Sequence, residues 1–97
     1  MKYIDKIKES MDKVRASKVV ISNNIERYGR KAFYISTYDR LNNLEVILID
    51  SHKMIMDKDS QPLREELGRN IKSMFNMIDK IYEITENMQK EFEINSK

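Results

Sequence analysis

Cysteine is absent from the 97 residues of this chain, and turn formers are scarce, with two glycines and one proline. Without cysteine the chain forms no disulfides and no metal sites with thiolate ligands. Few turn formers indicate few turns and therefore long secondary-structure elements. The length suits one domain, so we predict a single domain over residues 1–97.

Long apolar segments and a strong net charge are also missing. The longest uninterrupted apolar run, Val46 to Ile49, is far shorter than a membrane span. Lys2 and Asp5 lie where a signal peptide needs apolar residues, so we expect a cytoplasmic protein without a membrane partner. The formal net charge is only +2, whereas dedicated nucleic-acid binders carry a clearly basic face. The charge balance therefore argues against nucleic acid as the main partner.

Mostly apolar residues recur at alternating steps of three and four positions along most of the chain. This spacing keeps one narrow stripe on a single face of a helix, as in coiled coils and helical bundles. Three such stripes predict three helices and an all-α fold. In chain order the stripes are Ile4, Ile7, Met11, Val14, Lys18, Ile21, Ile25 and Tyr28; Tyr34, Thr37, Leu41, Leu44, Leu48, Ser51 and Ile55; and Leu67, Ile71, Met74, Ile78, Ile81, Thr85, Met88 and Phe92.

Two breaks divide this pattern. Gly29 is suited to the left-handed conformation that ends a helix, and the segment 58–62 combines capping residues with the single proline. We therefore predict helices over about 2–28, 30–57 and 61–94. Short connections make neighbouring helices antiparallel, so the predicted architecture is an up-down-up three-helix bundle.

An α+β fold is the alternative. The segments 18–22, 32–38 and 44–49 are rich in β-branched and aromatic residues, and they would form a three-stranded sheet between two helices. The steps of three and four continue through all three segments, whereas a clean two-residue alternation does not. The helical interpretation is therefore preferred.

Residue patterns for catalysis or metal binding are missing. His52 is the only histidine, and no carboxylate lies three or four positions from it to complete a helical metal pair. The chain has no glycine-rich phosphate loop, and no serine or threonine lies beside a base. We expect no catalytic residues, no cofactor and no metal. A small helical enzyme with a site at a dimer interface remains an alternative.

One basic and aromatic cluster precedes the second helix. Arg27, Arg30 and Lys31 lie next to Phe33 and Tyr34. Such a cluster would contact phosphate or stack a base, which makes a nucleic-acid-binding helical protein the other alternative. Pairing with the acidic end of the third helix would explain the cluster equally well.

Some apolar residues lie outside the predicted stripes. They would suit a helix packed between both others, or they would form a surface that contacts another protein, because monomers rarely expose large apolar patches. We favour a protein–protein interaction module that forms a homodimer and recognises a protein partner. Small helical modulators and inhibitors of the phage, plasmid, immunity or antitoxin type fit this description. The predicted interface residues are Val19, Val20, Ile35, Val46, Ile49, Met56 and Phe92.

Overall fold

The computed structural model of the chain describes the backbone of residues 3–56 and 61–95, and the side chains of residues 4–53 and 72–94. Within these ranges every regular element is an α-helix and none is a strand. The prediction of an all-α fold is therefore confirmed, and the alternative with a three-stranded sheet is wrong.

The three helices are α1 (Tyr3–Tyr28), α2 (Ala32–Met56) and α3 (Gln61–Asn95). Each begins within two residues of the predicted start. The predicted second break is the segment 58–62. Residues 58–60 of this segment lie outside the described residues. Segment boundaries are set locally by capping and turn residues, which is why they could be predicted from the sequence.

Gly29 ends α1 as predicted. Its φ of 92° is in the left-handed region, and its N–H donates to the carbonyl of Ile25 at 2.9 Å, which satisfies one free carbonyl at the helix end. Two residues later the chain enters α2, where the N–H of Ile35 donates to the carbonyl of Lys31 at 3.1 Å. This tight connection joins α1 to α2.

The first helix in the chain, and not the second, packs between the other two. Residues of α1 contact α2 and α3 along most of its length, whereas α2 and α3 barely touch each other. On one side Lys18 contacts Glu45 of α2, and on the other Ser17 contacts Thr85 of α3. A helix in this position buries a wide face, so it needs small or apolar residues toward both neighbours.

The buried stripe of α1 differs from the predicted one. Ile7, Val14 and Ile21 lie in the core as predicted, but the positions between them are occupied by polar residues. The predicted intermediate positions, such as Met11 and Lys18, are half-buried at the α2 side. The buried polar residues of α1, all facing the core, are Ser10, Ser17 and Asn24.

On α2 the buried residues include Leu41, Leu44, Leu48 and Ser51, and on α3 a residue outside the predicted stripe is also buried. Phe75 is buried beside Ile78 although it lies one position away from the predicted stripe. The predicted positions Ile55, Leu67 and Ile71 lie outside the residues whose side chains are described. The core consists of Ile7, Val14, Ile21, Leu41, Leu44, Leu48, Phe75 and Ile78.

A candidate protein-binding groove between α2 and α3

An open groove of about 590 Å³ separates α2 from α3. It exists because these two helices both pack on α1 and leave each other largely uncovered. Its described lining, here called the α2–α3 groove, consists of Phe33, Ser36, Thr37, Arg40, Ser73, Asn76, Met77, Lys80, Ile81, Ile84 and Thr85.

Large apolar side chains of the groove are open to solvent. Phe33 is 54% exposed, Met77 40% and Ile84 46%. Met77 and Ile84 are seven residues apart, so they lie on the same face of α3 two turns from each other. Exposed apolar residues grouped in a concave surface are characteristic of a binding site rather than of an ordinary solvated face.

Each wall of the groove repeats the spacing of a helix-packing stripe. On α3, Met77, Ile81 and Ile84 follow one another by four and three residues. On α2, Phe33, Thr37 and Arg40 do the same, and the steps continue through Leu44 to Ile47, which is 46% exposed. Stripes with this spacing pack against a further helix in coiled coils and bundles.

The polar groups of the groove are cationic or neutral. Arg40 and Lys80 contribute one positive charge from each wall, and Ser36, Ser73 and Asn76 contribute neutral polar groups. The described lining contains neither a carboxylate nor a histidine, so no hydroxyl has a base beside it. Among the described residues no cluster of acidic or histidine side chains would hold a metal ion.

The acidic residues that pair in this part of the chain lie at the α1 interfaces instead. Asp79 accepts a hydrogen bond from Lys13 at 2.8 Å and lies 3.9 Å from Lys6. Glu45 lies 3.4 Å from Arg15. The hydrogen bond to Asp79, together with Glu9, raises the pKa of Lys13 above its ordinary value of 10.5, and partial burial opposes this only in part. These pairs hold α2 and α3 to α1 and leave the groove with positive charge.

The interface residues predicted from the sequence differ in their exposure. Val19 and Val46 are 59% and 57% exposed. Val20, Ile35 and Ile49 are half-buried. The side chain of Met56 lies outside the described residues.

Phe92, the last of the predicted interface residues, is covered within the chain. The guanidinium of Arg27 lies 3.4 Å from the centre of its ring, and the ring is half-buried. A cation stacked on an aromatic face gives a favourable interaction of about 0.5–2 kcal/mol. Phe92 therefore ties the end of α3 to the end of α1.

Two of the three basic residues predicted to contact phosphate also lie against aromatic rings. Arg27 stacks on Phe92, and the ammonium of Lys31 lies 5.8 Å from the ring centre of Tyr28. Arg30 is exposed. Lys31 also lines a small cavity of about 230 Å³ together with Glu91, so an acidic side chain lies near this turn. The contacts of Arg27 and Lys31 are thus with aromatic rings, and no ion pair joins the turn to Glu86, Glu91 or Glu93 among the described residues.

Sequence reasoning did not single out the α2–α3 groove. The sequence places Phe33 beside the basic cluster, and Met77, Ile84 and Ile47 lie outside the predicted stripes and the predicted interface. A second stripe on α3, offset from the first, was the available signal. It could not be distinguished from scattered surface residues until α1 was known to be the central helix.

None of the described helices contains a stretch that is long and apolar enough to cross a membrane. No protein-family model matches the sequence, and comparisons with curated proteins and with solved structures give no match.

Proposed function

We propose that this protein is a non-enzymatic protein-interaction module that binds one amphipathic helix of another protein in the α2–α3 groove. The observation that carries the proposal is the groove itself, with Phe33, Met77 and Ile84 about half exposed between two helices that barely touch. Burying an apolar side chain of this size yields about 1.5–3 kcal/mol. These three residues are already about half buried, so each would contribute roughly half of that gain when a helix covers it.

The arrangement of the helices supports a helical occupant. In a four-helix bundle each helix packs on two neighbours and lies diagonally opposite the third. Here α1 has two neighbours, and α2 and α3 have the weak mutual contact of a diagonal pair. The groove occupies the fourth corner. A partner helix lying there would contact both free stripes.

The proposed path of the chain is up-down-up and antiparallel. Contacts between α1 and α3 occur in the same order along both helices, from Lys6 with Phe75 to Ser17 with Thr85. The short connection at Gly29 reverses the direction between α1 and α2. This path leaves the groove open over at least the α3 segment from Ser73 to Thr85, a length of about 18 Å at 1.5 Å per residue.

A module of this kind would act as a small modulator or inhibitor. Binding a helix of the partner would prevent that helix from contacting other proteins. This would require no catalytic step at the site. The polar groups of the groove then set register and selectivity, while the apolar anchors supply the affinity.

Self-association through a different surface is a second candidate. Val19 and Val46 are the most exposed apolar residues of the α1 and α2 pair, and they adjoin Arg15 and Glu45. A patch with both charge signs is self-complementary across a two-fold axis. This surface, the outer patch, would accept a second copy without covering the groove.

The test uses a neutral probe helix. A fluorescent peptide of about 18 residues, with leucine at steps of three and four and glutamine or alanine elsewhere, is long enough to span the groove. We expect the protein to bind it, and Met77→Asn with Ile84→Asn to abolish binding. The matched control is Val19→Asn with Val46→Asn, because those side chains are similarly exposed and lie outside the groove. Equal binding by both variants would contradict the proposal.

A further inference from the structure

We infer that the helix bound by the groove carries acidic residues along both edges of its apolar stripe. This inference rests on the proposed function and adds the chemistry of the partner. The evidence is the charge of the described lining, in which Arg40 on α2 and Lys80 on α3 face no lining carboxylate.

The two positive charges are available to a partner. Arg40 and Lys80 are both exposed, and neither forms an ion pair with a described residue. By contrast, Lys6 and Lys13 are engaged by Asp79, and Lys18 by Glu45. Cations that have no intramolecular partner and flank an apolar groove attract carboxylates of an incoming helix.

The positions of the two cations predict where the acids lie. Lys80 lies between Met77 and Ile84 on α3, and Arg40 lies two turns after Phe33 on α2. Arg40 is therefore in line with Phe33 on α2, and Lys80 lies beside Met77 and Ile84 on α3, so both cations adjoin the apolar anchors of the groove. A helix in the groove would present one acidic edge to each wall.

A second copy of this chain fits the groove less well. Two copies meeting through this surface would bring Arg40 and Lys80 of one against the same residues of the other. Like charges across an interface are unfavourable and exclude such pairings. The groove is therefore selective for an acidic partner helix. Self-association would use a different surface, such as the outer patch.

Three versions of one probe peptide test the inference. The apolar residues are kept, and the edge positions are glutamate, glutamine or lysine. At low salt we expect the glutamate version to bind about tenfold more tightly than the lysine version, which corresponds to about 1.4 kcal/mol. Arg40→Gln with Lys80→Gln should remove this preference and leave the affinity for the glutamine version unchanged. The control, Lys8→Gln with Lys90→Gln, changes two exposed lysines outside the groove and should keep the preference.

The outcomes separate the inference from the proposed function. If glutamate and lysine versions bind equally while the glutamine version binds, the acidic partner is excluded and the helix-binding module stands. The same conclusion follows if the control variant loses the preference as fully as the groove variant does. If no version binds, both the inference and the proposed function are contradicted. Circular dichroism of each variant checks that it remains helical.

Discussion

The hydroxyl oxygen of Thr85 lies 3.3 Å from that of Ser17, within hydrogen-bond distance, at the interface of α1 and α3. Both residues are 1% exposed. The Thr85 hydroxyl donates its one hydrogen to the carbonyl of Tyr82 at 2.8 Å, which leaves its oxygen free to accept from Ser17. If the hydroxyl of a buried threonine at this interface had no hydrogen-bond partner, replacing the threonine with valine would raise the stability of the protein. The contact with Ser17 reverses that expectation, because Thr85→Val would leave the buried hydroxyl of Ser17 without this partner.

The first prediction follows from this pair. Thr85→Val should lower the free energy of unfolding by about 1–3 kcal/mol, because it leaves the buried hydroxyl of Ser17 without this partner. Ser17→Ala should lower it by only about 0.5–1.5 kcal/mol, because the Thr85 hydroxyl keeps its hydrogen bond to the carbonyl of Tyr82. The double variant should lose less than the sum of the two, since no unsatisfied hydroxyl remains. Urea denaturation of the four proteins measures this coupling.

Ser10 is a second buried serine of α1, and its hydroxyl can be compared with that of Ser17. Its hydroxyl is fully buried and has no hydrogen-bond partner among the described residues. Ser10→Ala should therefore leave stability unchanged or raise it, because the folded state no longer contains an unpaired hydroxyl. Equal losses for Ser10→Ala and Ser17→Ala would show that the Ser17–Thr85 contact adds nothing.

The second prediction concerns the core. Leu48→Ala and Ile78→Ala should each destabilise the protein by about 2–5 kcal/mol, because both side chains are fully buried. Ile47→Ala is the matched control, since Ile47 adjoins Leu48 in sequence but is 46% exposed. Thermal melts that do not distinguish Leu48→Ala from Ile47→Ala would contradict the described orientation of α2.

The third prediction concerns alkaline pH. The hydrogen bond to Asp79 raises the pKa of Lys13, and a hydrogen bond to Glu86 raises the pKa of Tyr82 above its ordinary value of 10.0. In both cases the protonated form is favoured by folding. The associated stability is therefore present below about pH 10 and is lost as the pH rises through the higher folded pKa values.

Denaturation at about pH 8.5 and about pH 11.5 brackets both ordinary values. The unmodified protein should lose more stability across this interval than the variant carrying Lys13→Met and Tyr82→Phe. Lys8→Met is the control, because Lys8 is exposed and has no ion pair among the described residues. An identical alkaline loss in all three proteins would exclude the two groups as its source.

The fourth prediction separates self-association from core packing. Val46 is 57% exposed and Ile49 is half-buried, so a charge on each is tolerated in a monomer more readily than inside an interface. If the outer patch joins two copies, Val46→Glu with Ile49→Lys should yield a folded monomer. Sedimentation and circular dichroism measure the two properties. An unchanged oligomer excludes the outer patch, and loss of helicity shows that these residues belong to the core.

The helices could be predicted from the sequence because their signals are local. Gly29 and the spacing of Leu41, Leu44 and Leu48 require no knowledge of distant residues. The polar seam of α1 could not be predicted, since Ser10 and Ser17 look like surface residues until their burial is known. Which helix lies in the centre depends on tertiary packing alone.

The groove was missed for the same reason. Met77 and Ile84 lie beside the predicted stripe of α3, and only the position of α1 on the other side leaves them uncovered. Apart from Phe92, which belongs to the stripe of α3, the predicted interface residues are apolar positions outside the stripes. That criterion selects Val46, which is exposed, together with Val20, which is half-buried. Exposure is a property of the assembled bundle and is not encoded in the spacing.

Nuclear magnetic resonance with isotope-labelled protein and the unlabelled glutamine-edged peptide tests the central claim most directly. The account predicts intermolecular contacts from the peptide leucines to the methyl groups of Met77, Ile81 and Ile84 and to the ring of Phe33, with none to Val19 or Val46. Contacts confined to Val19 and Val46, or a peptide that binds without reaching Met77 and Ile84, would contradict it.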